Sequence, residues 1–175
     1  MENLKSELPE PWLRGTVAEI HAVPRAAVHA LQLANEDIQH WCCPLSDAQL
    51  NARPWGIAPV AFHIRHIARS VDRLLTYAEG TSLDDRQLEA LRTELEPRAF
   101  HDEIFSELAS ALAGAEKRIR AFNASRLEEL RKVGAKQLHT TLGGLLVHIA
   151  EHTQRHVGQA VTTSKILSAH NFNLM

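Results

Sequence analysis

"VHIAEHTQRHVGQA", residues 147–160, sets His148, His152 and His156 four residues apart on a strip flanked by Ile149, Val157 and Ala160. At 3.6 residues per turn, side chains at that spacing lie one above another on one face of a helix. The helical signal extends outward to residues 142–168, with Thr140 or Thr141 as the cap. Gly143 and Gly144 lower helix propensity in its first turns but permit close helix contact.

Three more stretches repeat apolar residues at a helical period. In "RAAVHALQLANEDIQHW" the stripe is Ala27, Leu31, Ala34, Ile38 and Trp41, with Pro24 in the first turn and Pro44 as the stop. From Pro59 to Gly80 it is Ile67, Val71, Leu74 and Leu75. Pro97 starts or immediately precedes the next helix, which carries Phe100, Ile104, Leu108, Ala111, Leu112, Ala115 and Ile119. Residues 1–15 read as an irregular lead-in packing across the domain through Trp12 and Leu13. Residues 44–58, 81–97 and 123–141 read as connectors, each with at most a short turn. Four long amphipathic helices and no convincing strand predict an all-α protein, a four-helix bundle with long connecting loops and one domain over residues 1–175.

Composition narrows the function classes. Hydrophobic residues make up 45% and charged residues 23%, and the formal net charge is -2 without a polybasic or acidic block. Nothing draws the whole molecule to nucleic acid or to anionic lipid. No apolar stretch is long enough to span a membrane, and "MENLKSELPEPWLRG" lacks the pattern of a signal peptide, so a cytoplasmic location is expected. Cys42 and Cys43 are the only cysteines; adjacent to one another, they suggest passive thiols rather than a disulfide framework or a cysteine zinc site.

The histidines are the chemical signal. His148 and His156 are about 12 Å apart along a straight axis, too far for all three imidazoles of the strip to share one ion. A real site needs two neighbours plus a ligand from another helix, and "FHIRHIAR" offers His63 or His66. Two ligands on one helix and one across the bundle leave coordination positions open, as in catalytic sites. The alternative is a set of core-edge histidines bonded to backbone or acid, and spacing does not choose between His63 and His66. Gly158 allows a close approach, and Gln159 either orients a water or ligand nitrogen or makes a terminal polar contact. Glu151 is expected to pair with Arg155. Arg69 and Arg73 are read as solvent or interhelix salt bridges, with anion binding near the pocket as the alternative. Trp55, Phe62 and Tyr77 are read as core or interface aromatics rather than site residues.

The run "HIARSVDRLLTYAEG", followed much later by "HTQRHVGQA", resembles the DinB-like superfamily of metal-binding four-helix bundles. The resemblance covers nearly the whole chain from the helix near Pro24 onward and rests on the order and spacing of short motifs. It implies a metal held by His66, which carries the "HIA" run, and by His152 and His156, which precede "VGQ". His63 stands as the alternative ligand and His148 as a supporting residue. All-imidazole ligation suits zinc, nickel, iron or cobalt better than calcium or magnesium. Among the superfamily's activities, the resemblance implies a thiol-dependent S-transferase, with a low-molecular-weight thiol as cosubstrate and a small-molecule substrate. The alternatives are a hydrolase in which the metal activates water, or a non-catalytic metal or small-ligand binding module. Related bundles often dimerise, and an apolar helix side left for a partner would make this chain a homodimer.

Overall fold

Pro24 lies in the first turn of α1 (Ala22–Trp41), where backbone N–H groups have no helical acceptor and a missing donor costs nothing. In the computed structural model, which describes residues 8–94 and 100–169, α1 is followed by α2 (Asp47–Asn51), α3 (Val60–Ala78), α4 (Asp85–Arg92), α5 (His101–Arg120), the strands β1 (Leu130–Val133) and β2 (Leu138–Thr141), and α6 (Leu142–Ala169). The two short helices are started by reciprocal caps. The Ser46 and Asp84 side chains accept from the backbone N–H of Gln49 and Gln87, and those glutamines reach back to the cap N–H. After α3 the chain turns at Gly80, whose φ of +84° favours a residue without Cβ. The expected start of the third long helix at Pro97 lies outside the described residues.

The long helices α1, α3, α5 and α6 form the bundle. Both α1 and α3 pack on α5 and on α6, which puts α1 opposite α3 and α5 opposite α6 on the diagonals. The centre is filled by Val28, Leu31 and Ile38 of α1, Ile64, Ile67 and Leu75 of α3, Ile104 and Leu108 of α5, and Leu146 and Ile149 of α6. Several residues expected to pack inward do not. Phe100 precedes α5 and is exposed, as are Trp12 and Leu13 in the lead-in. Trp41 lies at the rim, with Lys165 Nζ 3.9 Å above its ring.

The connector before α6, read as irregular, contains an antiparallel hairpin. Leu130 pairs with Thr141 and Val133 with Leu138, around a turn in which Gln137 N–H bonds Gly134 O. The strands are four residues long, too short to show alternation, and the residue that β1 buries is Arg131. Its guanidinium donates to Ala78 O at the end of α3 (2.6 Å). The hairpin also starts α6. Leu142 N–H donates to Glu129 O (2.9 Å) and Gly143 N–H to Leu127 O (2.8 Å), while Thr141 Oγ1 accepts from Gly144 N–H (3.0 Å). A Cβ on Gly143 would stand 3.2 Å from Leu127 O, so this glycine admits the chain before the hairpin rather than another helix. No helix among the described residues is long and apolar enough to cross a membrane.

Candidate metal centre

A row of imidazoles lies between α3 and α6. His66 Nε2 stands 2.9 Å from His152 Nε2, and His63 Nδ1 stands 3.0 Å from His156 Nδ1. The His66 and His156 ring centroids are 4.3 Å apart, and those of His152 and His156 are 4.7 Å apart. His66, His152 and His156 each offer one ring nitrogen within 4.8 Å of the other two. His63, the alternative from the same helix face, is buried and does not join that convergent set.

Burial disfavours protonation here. Desolvation first, and then the charge of neighbouring histidines, pulls His63, His152 and His156 down to about 4. Neutral imidazoles keep a lone pair for an ion. Donors about 2.0–2.1 Å from a shared divalent ion stand about 3 Å apart when they occupy adjacent coordination positions, which matches the His66–His152 separation. By spacing and by donor chemistry these residues fit a borderline divalent metal.

Phe62 covers one side of the cluster. Its ring stacks on His66 at 5.4 Å and meets His156 edge-on at 6.3 Å, beside the site rather than only in the core or an interface. His148 lies 5.3 Å, centroid to centroid, from His152, and its Nδ1 bonds Glu151 Oε1 (2.8 Å) at the solvent edge. Arg155 reaches the same carboxylate at 3.9 Å, the expected i,i+4 pair. Gln159 is exposed. Gly158 faces open space, with nothing within 4 Å of where a Cβ would be, so the expected close approach there is absent.

Glu94 is the residue that sequence reasoning missed. It follows α4 in a connector rich in acids and is buried. Its Oε2 lies 2.8 Å from His66 Nδ1, and its Oε1 meets Arg73 Nη1. Burial alone would raise this carboxyl, but hydrogen bonds from His66 and Arg73 outweigh it and hold it below the usual carboxylate range. Arg69 pairs with Glu107 (2.7 Å) and donates to Ala90 O, so both arginines make the interelement ion pairs expected of them. A cleft of about 370 Å³ between α3, α4 and α5 is lined by Arg69, Asp72, Arg73, Gln87, Glu107 and Arg118, and none of the three convergent histidines lines it. Cys42 is buried and its thiol is pushed up to about 12 by desolvation, consistent with an inert role.

The sequence from residue 30 to residue 160, which includes every histidine of this cluster, matches the family model of the DinB superfamily. The chain belongs to the DinB superfamily. No curated protein matches it. Among solved structures, YfiT from Bacillus subtilis, described as a probable metal-dependent hydrolase with an unusual four-helix bundle topology, superposes with a TM-score of 0.62. The two share 14% identity over 86% of this chain and 91% of YfiT. At that identity the likeness is one of fold, and it places this DinB-superfamily chain among four-helix bundles.

Proposed function

We propose that this protein is a divalent-metal-dependent enzyme acting on a small molecule, with His66, His152 and His156 as the ligands. The observation that carries the reading is the convergence of three half-buried imidazoles from two helices, with His66 Nε2 2.9 Å from His152 Nε2. Membership of the DinB superfamily and the fold shared with YfiT support it. Zinc, nickel, iron or cobalt suits this donor set. When bound, such an ion supplies Lewis acidity, activating a small nucleophile and polarising an electrophile.

Hydrolysis is the reaction the surroundings favour. The His148–Glu151 pair stands beside His152 at the solvent edge, where an imidazole held by a carboxylate can take a proton from the reacting water and release it to solvent. Phe62, stacked on His66, supplies an apolar wall to the site. Thiol-dependent S-transfer to a small electrophile is the second reading. It is supported by the uncharged donor set, which leaves the full charge of the ion to stabilise a thiolate.

Metal analysis of untagged protein purified without added metal tests the centre. Wild type is expected to carry close to one equivalent, and H66A, H152A and H156A to lose it while remaining folded. Unchanged metal content in all three variants would overturn the assignment. Turnover of activated esters or amides without thiol, reduced in H148A at unchanged metal content, is the result expected for hydrolysis. Turnover only with an added thiol and an electrophile would select the transferase.

A further inference from the structure

Glu94 reaches the histidine cluster from outside the α3–α6 pair, and the proposed ligand set does not use it. A buried carboxylate is costly unless its charge and its lone pairs are matched. Arg73, two turns after His66 on α3, matches the charge at Oε1. That leaves Oε2, 2.8 Å from His66 Nδ1, free to accept from the ring. An ionised carboxylate has no proton to give, so the hydrogen between these atoms belongs to Nδ1. The other tautomer would set two lone pairs against each other at 2.8 Å. With Nδ1 carrying the hydrogen, the lone pair of His66 is on Nε2, the atom that faces His152 at 2.9 Å.

We propose that Glu94 is the positioning residue of the centre: it fixes His66 as the Nδ1–H tautomer, so that Nε2 is presented to a divalent transition metal, while Arg73 holds the carboxylate in place. The metal half of this statement rests on the function proposed above; the tautomer half does not. Glu94 touches no reacting atom in this scheme and acts only through His66, as carboxylates behind metal-bound histidines do. It also ties the segment after α4 to the centre, giving that connector a role beyond linking α3 to α5.

Two measurements test it. Long-range 1H–15N correlation spectra of metal-free protein with labelled histidines, recorded at pH 8, should show His66 as Nδ1–H in wild type. In E94A the same ring should shift towards the Nε2–H form. Competition titration with Zn2+ should give an affinity about 10- to 100-fold weaker in E94A, and a smaller loss in E94Q, which keeps an acceptor oxygen. A side chain that only supports the fold would lower thermal stability and leave both readouts unmoved. An Nε2–H tautomer for His66 in wild type overturns the proposal without recourse to any variant. So does wild-type Zn2+ affinity in a folded E94A. Failure of wild type to bind Zn2+ would instead overturn the metal reading, and the part assigned to Glu94 in holding His66 would then stand or fall on the spectrum alone.

Discussion

His63 Nδ1 stands 3.0 Å from His156 Nδ1, one helical turn along from the contact between His66 and His152. The two contacts are rungs of one antiparallel ladder between α3 and α6. In this ladder His63 is a buried hydrogen-bond partner of a proposed ligand. H63A is therefore expected to retain metal, with affinity weakened about 10-fold, the low end of the range for loss of an outer hydrogen bond. H66A should lose the metal altogether. Metal content and competition titration of the two variants side by side check this. Loss in H63A with retention in H66A would exchange their roles.

The same burial makes the metal-free protein sensitive to acid. His63, His152 and His156 are held down to about 4 in the fold, against about 6.5 in an unfolded chain. Between those values the unfolded chain binds more protons, so stability is fully present above about pH 6.5 and falls as the pH drops towards 4. Glu94 acts in the same direction at the acid end of the window. Thermal unfolding of metal-free protein should show Tm falling by several degrees between pH 7 and pH 4.5. The triple variant H63F/H152F/H156F should flatten the slope, and a slope unchanged by it would assign the acid sensitivity elsewhere.

Two glycines of α6 should respond to alanine with opposite signs. Gly143 abuts Leu127 O, which its own N–H holds, so G143A forces the chain before the hairpin outward at a cost of about 1–3 kcal/mol. Gly158 faces open space within the helix, and G158A should gain about 0.5–1 kcal/mol. Denaturant midpoints at unchanged m-value measure both, and G158A should keep its metal.

Arg131 couples the hairpin to the bundle. Its Nε donates to Ala78 O, and its Nη2 pairs with Glu129. R131A leaves a helix-end carbonyl unpaired at a buried position, with an expected loss of about 1–3 kcal/mol. At about 2–4 °C of Tm per kcal/mol for a chain of this size, calorimetry resolves the effect. R131K restores only part of it, because one ammonium cannot span the same acceptors.

Much of this architecture can be read from spacing alone. The four long helices lie where their apolar periods put them, because α1, α3, α5 and α6 each bury one face in a common core. The HxxxH pair on α6 likewise forces His152 and His156 onto one side. Partners supplied from elsewhere are harder to read. His63 and His66 share a face of α3, so spacing left them equivalent, and only the antiparallel pairing with α6 separates their contacts. Glu94 is one acid among several in its connector, and nothing local distinguishes the one that folds back onto His66. The hairpin escaped notice because its buried side chain is an arginine satisfied by backbone and acid, so its strands carry no apolar alternation.

The junction at Leu127, Glu129 and Gly143 governs the rotational phase of α6. With the amides of Leu142 and Gly143 bound to fixed carbonyls, the helix can begin at only one residue. His152 follows nine positions after Gly143, about 13.5 Å along the axis. Slipping that start by one residue would turn every later side chain by about 100° and swing both imidazoles away from α3. Insertions at the hairpin tip, by contrast, would leave the phase untouched. The aim of His152 and His156 is thus set more than two helical turns away, at a surface ribbon that carries none of the chemistry.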